Sequence, residues 1–296
     1  MNKQLFIIGN GFDIFHGIPS RYSDFEAYVK ASNPSLYAAL QEYFVQDELW
    51  SDFEATLALI DTDKIVEDAA QYLDDYGAED WSDAGHHNYQ YEMQRAIDLV
   101  TVDLRNAFIA WILDLEIPSE GKLLLPEDAT YLLFNYTKTL QLCYSIPEDR
   151  ILYIHNKAVN LESEIILGHS RELSAEESFS NYKSDGEMED YDVRVMEGNV
   201  ILDNYFKNTY KDTPTIISEN ENFFRSLSNI DEIIVLGHSL SAVDLPYFER
   251  IVDFVSPDCK WKVSYFGDKD KPVGILKSIG IPERNITPIK IEELQR

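Results

Sequence analysis

Six short apolar segments, each bounded by turn-forming residues, constrain the fold of this chain most strongly. They cover residues 4–8, 130–134, 151–154, 164–167, 232–236 and 261–266. Their apolar residues are continuous rather than alternating, which is typical of strands buried on both faces of a parallel sheet. We therefore predict an α/β fold with a mostly parallel sheet and helices on both of its faces. Sheets of this kind carry their chemistry at the carboxyl ends of the strands.

The chain between the first two predicted strands has a helical pattern. Over residues 91–113, apolar residues recur at spacings of three and four: Ile97, Val100, Leu104, Phe108 and Trp111. Such spacing places them on one face of a helix. We predict a helical insertion over residues 31–125, and an α/β domain formed by residues 1–30 and 126–296.

The charge of the chain limits its partners. It has 25 Lys and Arg against 53 Asp and Glu, a formal net charge of −28. Neutralising phosphates on duplex DNA or an anionic membrane needs a basic face, so we expect neither as a partner. The acidic residues concentrate over residues 61–92 and 172–192, which we predict to be solvated surface. The second of these stretches is also rich in serine and is predicted to be a mobile loop or lid.

Cysteine content and hydropathy indicate a cytoplasmic protein. The two cysteines, Cys143 and Cys259, form no Cys-x-x-Cys pair, which excludes a disulfide framework and a cysteine zinc site. We expect no bound metal. No apolar stretch reaches the ~18 residues of a membrane helix, and the first ten residues lack the pattern of a signal peptide.

A glycine-rich turn follows the first predicted strand. Gly9 and Gly11 allow a sharp turn, and we expect them to leave backbone N–H groups free to face a pyrophosphate at the start of the next helix. The spacing departs from the common dinucleotide fingerprint, because Ile14 occupies the position of its third glycine. No Walker motif follows. From these residues alone, a phosphate loop and a simple tight turn both remain open.

Further motifs follow this turn in a fixed order. They are Gly17-Ile18-Pro19-Ser20, Trp50-Ser51-Asp52-Phe53-Glu54, Phe134-Asn135-Tyr136-Thr137, Ile154-His155, Ile166-Leu167-Gly168-His169 and the segment 236–244. Together with residues 9–13 they resemble the AbiH family of bacterial abortive-infection proteins. The resemblance runs from residue 4 to about residue 250 and implies an antiphage function. It also implies a trigger from the phage and control by a partner or by homo-oligomerisation.

The same motifs are similar to a divergent sirtuin-type fold, which is Rossmann-like and holds NAD. This resemblance implies that Gly9, Gly11 and Phe12 lie against the phosphates and ribose. It also implies that Asn135 and His155 occupy the positions of the catalytic Asn and His. The absence of four zinc cysteines argues against a protein deacylase.

Further nucleotide contacts implied by this resemblance fall on Asn10, Asp13, Gly237, Ser239 and Asp244. Two of these residues differ from the usual sirtuin pattern, because Asn10 replaces an alanine and Asp13 replaces a serine. Two later positions also differ.

Those later differences lie beside the expected catalytic pair. Thr137 stands where sirtuins have the aspartate of their Asn-x-Asp motif, and Asn156 replaces a glycine. The loss of that aspartate bears on both nicotinamide recognition and hydrolysis.

Cleavage of the nicotinamide–ribose bond passes through an oxocarbenium-like state. An imidazole near the ribose can accept a proton, and an amide can hold the attacking water. His155 and Asn135 follow predicted strands at the edge where Gly11 also lies, so we expect them to share one crevice. We predict that NAD is hydrolysed to nicotinamide and ADP-ribose when the protein is triggered. The structural alternative is that Asn135 caps a helix and His155 only forms a hydrogen bond at a strand end.

Two other functions compete with NAD hydrolysis. Gly237-His238-Ser239 resembles the nucleophile elbow of α/β-hydrolases, but no histidine follows Ser239 and Ser241 replaces the closing glycine. A serine hydrolase is therefore the weaker competitor. A sensor or scaffold that binds a nucleotide without turning it over is the stronger one, and Thr137 favours it.

Several other polar residues have structural interpretations. We expect His16 to pack against the sheet, and Lys207 and Lys211 to be solvated helix lysines. Trp50 and Glu54 lie four residues apart and share a helix face, which suggests that they dock the helical insertion onto the α/β domain.

Overall fold

A six-stranded parallel sheet lies in one of the two units into which the chain divides. The computed structural model describes residues 3–45, 49–73, 87–181 and 192–295. The sheet unit comprises Met1–Asp24, Ile109–Ile166 and Asp212–Arg296, and the helical unit comprises Phe25–Phe108 and Leu167–Lys211. The helical unit thus includes residues 167–211, which the sequence pattern had assigned to the α/β domain.

The sheet has the strand order of a doubly wound nucleotide-binding fold. Its strands are β1 (Gln4–Ile8), β2 (Thr130–Leu133), β3 (Ile151–Tyr153), β4 (Glu232–Leu236), β5 (Lys260–Ser264) and β6 (Ile286–Ile289). They pair in parallel in the order β3-β2-β1-β4-β5-β6. This confirms the predicted α/β class and is consistent with a Rossmann-like fold. The strand order reverses between β1 and β4, and such a switch point opens a crevice at the carboxyl ends of the strands.

Thirteen α-helices lie within the described ranges. They are α1 (Asn10–Phe15), α2 (Tyr22–Ser32), α3 (Pro34–Tyr43), α4 (Phe53–Thr56), α5 (Thr62–Ala70), α6 (Asn88–Asp98), α7 (Leu104–Asp114), α8 (Thr139–Tyr144), α9 (Val193–Thr209), α10 (Thr213–Glu219), α11 (Glu221–Ser226), α12 (Leu245–Phe254) and α13 (Asp270–Ser278). The predicted helix over residues 91–113 is confirmed, with a π-helical stretch at Leu99–Asp103 between α6 and α7. No helix in these ranges has the length and apolar character that crossing a membrane requires.

Both faces of the sheet are covered by apolar side chains. Leu5 and Ile7 of β1 belong to one buried cluster, whereas Phe6 and Ile8 belong to another on the opposite face. Successive residues of a strand point to opposite faces, so the continuous apolar run of β1 serves two cores at once.

The sequence pattern misassigned two segments of the sheet unit. Residues 164–167 form no strand, although the Ile166 N–H donates to the His155 carbonyl at 3.0 Å. Ile165 and Leu167 of this segment are buried, which explains its strand-like apolar pattern although it joins no sheet. Conversely, β6 was missed because Pro288 interrupts it. Proline is tolerated there because β6 is an edge strand.

The helical unit buries a lysine–glutamate pair. The Lys211 side chain is 0% exposed and its Nζ donates to Glu54 Oε2 at 2.6 Å. The expectation that Lys211 is a solvated helix lysine is therefore wrong. A buried ammonium group is retained only where an opposite charge compensates it, and Glu54 supplies that charge.

The Gly168-His169 motif also has a structural role in the helical unit. A Cβ on Gly168 would lie 2.0 Å from the Thr209 carbonyl oxygen. His169 Nδ1 accepts a hydrogen bond from the Arg171 N–H, and His169 Nε2 lies 3.0 Å from Thr209 Oγ1. Burial lowers the pKa of His169 to about 4, so this imidazole stays neutral.

The predicted lid falls only partly within the described residues. Asp203 of α9 accepts hydrogen bonds from Ser178, Phe179 and Ser180, which anchors this part of the segment. Residues 182–191 lie outside the described residues.

His16 packs in the core of the sheet unit, as predicted. Its Nδ1 donates to the Phe12 carbonyl at 2.8 Å, so its Nε2 accepts the Tyr144 hydroxyl hydrogen at 2.6 Å. The same hydroxyl accepts the Leu123 N–H at 3.0 Å. Burial lowers the pKa of His16, in keeping with a neutral ring.

Removing this hydroxyl with Tyr144→Phe should lower the free energy of unfolding by about 2 kcal/mol, because the Leu123 N–H loses its acceptor and His16 Nε2 keeps only the longer hydrogen bond of 3.4 Å from the Lys122 N–H. Urea unfolding measures the change. The matched control is Tyr91→Phe, whose ring is 67% exposed and should change stability little. Equal stabilities of the two variants would show that the hydroxyl network contributes nothing.

Candidate functional site

Four segments leave the sheet at its carboxyl edge around the switch point between β1 and β4. They are Gly9–Asp13 after β1, Asn135–Thr137 after β2, His155 after β3 and Gly237–Asp244 after β4. All of the site residues predicted from the sequence lie on these four segments. The strand order makes β2, β1 and β4 consecutive neighbours, with β3 beyond β2.

The glycine turn is packed against the turn after β4. The N–H groups of Gly9 and Gly11 donate to the carbonyls of Leu236 and Gly237 at 2.9 and 2.8 Å, and Phe12 N–H donates to the Gly9 carbonyl. The expectation that these amides are free for a pyrophosphate is therefore wrong. Local spacing could not reveal it, because the acceptors at Leu236 and Gly237 come from a distant strand.

The glycines are required by this close approach. A Cβ on Gly9 would lie 2.6 Å from His238 Cα, and a Cβ on Gly11 would lie 2.8 Å from Gly237 Cα. Gly237 itself has φ +64, and its Cβ would lie 2.1 Å from Phe12 N. The two turns can therefore meet only as backbone against backbone.

Two other residues of the predicted loop are engaged within the sheet unit. Asn10 donates from Nδ2 to the Ser20 carbonyl and accepts the Ser20 hydroxyl hydrogen, at 2.7 and 2.6 Å. This pair links α1 to the Gly17-Ile18-Pro19-Ser20 motif. The Phe12 ring is fully buried in the apolar core, so its side chain does not line the edge.

Asp13 is a buried carboxyl group beside the end of β2. Its side chain is 1% exposed, and its Oδ2 accepts the Thr137 hydroxyl hydrogen at 2.6 Å. Thr139 Oγ1 lies 3.0 Å from Thr137 Oγ1. Burial raises the pKa of Asp13, and the neighbouring polar side chains of Thr137, Thr139 and Asn135 oppose that rise. The structure thus places Asp13 and Asn135 together.

Two oxygen atoms of this cluster are buried without a hydrogen-bond partner. They are Asp13 Oδ1 and Asn135 Oδ1. Native proteins satisfy nearly all buried polar atoms, because an unmade hydrogen bond costs about 1–3 kcal/mol. Two buried acceptors beside the switch point can therefore accept hydrogen bonds from water or from a ligand that carries donors.

His155 and His238 face the same carboxylate. Asp244 Oδ1 lies 3.8 Å from His155 Nε2, and Asp244 Oδ2 lies 3.5 Å from His238 Nε2. Each imidazole side chain is 3% exposed. Asp244, predicted as a nucleotide contact, is therefore linked to the predicted base. Within the described part of the chain, no three His, Cys, Asp or Glu side chains are arranged to hold a metal ion.

The Phe134 ring separates these polar groups from the core. Its centroid lies 5.4 Å from the His155 ring, 4.3 Å from the His238 ring and 5.5 Å from the Tyr247 ring. All three contacts are edge-to-face. This aromatic packing fixes both imidazoles and excludes water from beneath them.

Ser239 does not form a nucleophile elbow. It is exposed in a loop, and α12 begins only at Leu245. A nucleophile elbow requires a sharp turn directly from strand to helix. The loop is held instead by the Gly237 N–H, which donates to Ser264 Oγ at 2.8 Å, and this geometry disfavours a serine hydrolase.

Sequence analysis missed Thr139 and His238 as site residues. Thr139 is two residues beyond Thr137, and His238 lies between two predicted contacts, Gly237 and Ser239. Both residues therefore lie in or next to the motifs used for the prediction. Their proximity to Asp13 and Asp244 could be recognised only from the fold.

Asp13→Asn should increase stability at pH 8. The folded-state pKa of Asp13 is raised above the ordinary 3.8, so its favourable contribution is present below that pH and is lost as pH rises through the folded value. Asparagine does not ionise, so it avoids this loss of stability. Its side-chain N–H can also donate to the neighbouring Asn135 Oδ1. We expect a gain of about 1 kcal/mol at pH 8, shrinking towards pH 4.

Urea unfolding at both pH values measures this difference. The exposed Asp149, in the same unit, provides the control Asp149→Asn. If Asp13→Asn alone loses stability at pH 8, burial of the Asp13 carboxyl group does not destabilise the folded protein at that pH as its raised pKa implies.

Fold and site together define the class of the protein: a Rossmann-like α/β protein with a buried polar cluster at the switch point of its sheet. The family model for bacteriophage abortive infection AbiH matches residues 5–265. The chain therefore belongs to the AbiH family, which indicates a role in abortive infection as a defence against phage. A comparison with curated proteins found no match.

Proposed function

We propose that this protein binds NAD at the carboxyl edge of the sheet and hydrolyses it to nicotinamide and ADP-ribose during phage defence. The observation that carries the proposal is the pair of buried, unpartnered acceptors, Asp13 Oδ1 and Asn135 Oδ1. They lie on neighbouring segments at the switch point, beside the segment that carries His155.

The chemistry of nicotinamide matches these acceptors. Its primary carboxamide carries two N–H donors, one of which can bind Asp13 Oδ1. The attacking water carries O–H donors, one of which can bind Asn135 Oδ1. Each oxygen then gains the partner that it lacks in the protein alone.

The charge of the cluster suits the same end of NAD. The nicotinamide ring of NAD is cationic, and positive charge moves onto the ribose as the bond breaks. Asp13 and Asp244 are buried carboxyl groups at this edge. Fixed dipoles and charges that face a developing cation in a site without water lower the barrier most effectively.

The resemblance to sirtuin-type proteins supports the assignment further. Asp13 stands where they have serine and Thr137 where they have aspartate, and these two side chains are joined by a hydrogen bond of 2.6 Å. The carboxyl and hydroxyl groups at these two positions are therefore in contact in this chain. A carboxyl group stays beside Asn135 despite the loss of the Asn-x-Asp motif.

The proposed reaction consumes one water. The bond between ribose C1′ and the nicotinamide nitrogen breaks, and its electron pair leaves with nicotinamide. Water bound by Asn135 forms the new bond to C1′, and its proton passes to His155 and then to solvent.

Burial of the site favours a second candidate, a nucleotide sensor without turnover. Asp13, Asn135 and His155 are all at most 6% exposed. A site closed to this degree can recognise a ligand yet exclude the attacking water.

One experiment separates these functions. Purified protein is incubated with NAD, alone and with lysate from phage-infected cells, while released nicotinamide is quantified and binding is measured by calorimetry. Nicotinamide release under either condition supports hydrolysis. Saturable binding without release supports the sensor, and the absence of both overturns both candidates.

A further inference from the structure

One buried carboxylate lies between two imidazoles at the candidate site. The distances from Asp244 are 3.8 Å to His155 Nε2 and 3.5 Å to His238 Nε2. His155 follows β3, His238 follows β4, and Asp244 precedes α12. Two segments of the chain, the one after β3 and the one between β4 and α12, therefore contribute to this arrangement.

The tautomer of His238 follows from its backbone contact. The Leu240 N–H donates to His238 Nδ1 at 2.9 Å, so Nδ1 is an acceptor and Nε2 carries the hydrogen. That N–H faces Asp244 Oδ2. His238 therefore supplies a donor to the carboxylate.

Asp244 is oriented by a second donor as well. The Ser241 hydroxyl donates to Asp244 Oδ2 at 3.0 Å. Since Ser241 and His238 both approach Oδ2, the other oxygen, Oδ1, is the one that faces His155. Its distance of 3.8 Å from His155 Nε2 is longer than a hydrogen bond, and catalytic contacts commonly tighten when substrate binds.

We infer that Asp244 is a positioning residue that stabilises the cation formed on His155, and that His238 holds Asp244 in place for this purpose. This inference rests on the proposed NAD hydrolysis and extends it by a role for His238 and by a second role for Asp244. When His155 accepts the proton of the attacking water, its imidazolium places an N–H opposite Asp244 Oδ1.

Two phenol rings of the described residues also contact His155. The rings of Tyr136 and Tyr247 lie 6.3 and 5.7 Å from the His155 ring, and Phe134 covers a further side. Phenols remain neutral near pH 7. Asp244 is thus the carboxylate that the structure places beside His155 Nε2, at 3.8 Å.

Histidine titration by ¹⁵N NMR tests the inference without any assay of activity. The His155 and His238 signals are assigned from His155→Ala and His238→Ala spectra. Asp244→Asn should lower the pKa of His155 by about one unit, because an opposite charge nearby favours the protonated ring. The control Asp253→Asn, on the helix that follows Asp244 and 62% exposed, should leave the His155 pKa unchanged. An unchanged His155 pKa in Asp244→Asn overturns the inference.

The wild-type protein provides a test that does not depend on folding of the variant. His155 should titrate at least about one unit above His16, whose ring nitrogens contact the Phe12 carbonyl and the Tyr144 hydroxyl rather than a carboxylate. His238 should show the shifts of the Nε2–H tautomer. A His155 pKa at or below that of His16 overturns the inference.

Activity then distinguishes this inference from the proposed function. If the wild type releases nicotinamide, Asp244→Asn should lower kcat about 10- to 100-fold at pH 7.5 with little change in KM. The acidic limb of the pH–rate profile of Asp244→Asn should move to lower pH, because His155 in this variant loses its proton at a lower pH. Absence of nicotinamide release from the wild type refutes the proposed function, whereas the NMR titration still decides the Asp244–His155 coupling.

Discussion

Replacement of Asn135 or His155 by alanine is expected to lower the kcat of NAD hydrolysis by about 10²- to 10⁴-fold. Loss of His155 removes the proton acceptor, an effect typical of general base catalysis. Loss of Asn135 leaves the attacking water without its buried acceptor, so its orientation is lost. Released nicotinamide, quantified over time with purified protein, gives the rates.

Two exposed residues provide matched controls for these variants. Asn229→Ala and His87→Ala remove the same side chains from surface positions and should retain full activity. Circular dichroism and unfolding establish that each variant folds. Near-normal turnover in a folded Asn135→Ala or His155→Ala variant would remove that residue from the mechanism. In cells, the same variants should fail to limit phage.

Gly237→Ala should have the largest effect on stability, lowering the free energy of unfolding by about 4 kcal/mol. Its backbone has φ +64, and a Cβ there would lie 2.1 Å from Phe12 N and 2.4 Å from Gly11 C. Backbone strain in the left-handed region costs about 1–2 kcal/mol, and forcing apart two packed turns adds about 1–3 kcal/mol. Urea unfolding measures the loss, or the variant fails to fold.

Gly267→Ala separates strain from packing. Gly267 has φ +77, but a Cβ added there would have no atom within 4 Å. Substitution at Gly267 therefore costs only the backbone strain of the left-handed conformation. We expect a loss of about 1 kcal/mol there. If both variants lose the same amount, the turns after β1 and β4 do not meet as described.

The sheet could be predicted from sequence because burial on both faces leaves a direct trace. β1 and β4 are continuous apolar runs, and the residues that follow them lie at the reactive edge by the geometry of parallel strands. The same geometry predicted that Asn135 and His155 lie at this edge, after β2 and β3, whereas their proposed roles came from the family resemblance. β6 was missed because an edge strand tolerates Pro288, which breaks the local pattern.

Contacts between distant residues left no local trace. The Asp13–Thr137 hydrogen bond joins residues 124 positions apart, and the Asp244 contacts to His155 depend on the strand order. The glycine turn shows the same limit, since spacing alone does not decide whether an amide faces a ligand or a neighbouring carbonyl. Only the fold shows that Gly11 donates to Gly237.

A crystal of the protein soaked with NAD shows whether NAD binds at Asp13 and Asn135 and is cleaved there. We expect density for nicotinamide or ADP-ribose at the carboxyl edge of the sheet. A donor of the ligand, or of its attacking water, should lie within about 3 Å of Asp13 Oδ1 and of Asn135 Oδ1. An otherwise identical crystal of the Asn135→Ala variant should retain uncleaved NAD. A nucleotide bound elsewhere, with both oxygens still without a partner, would contradict the account.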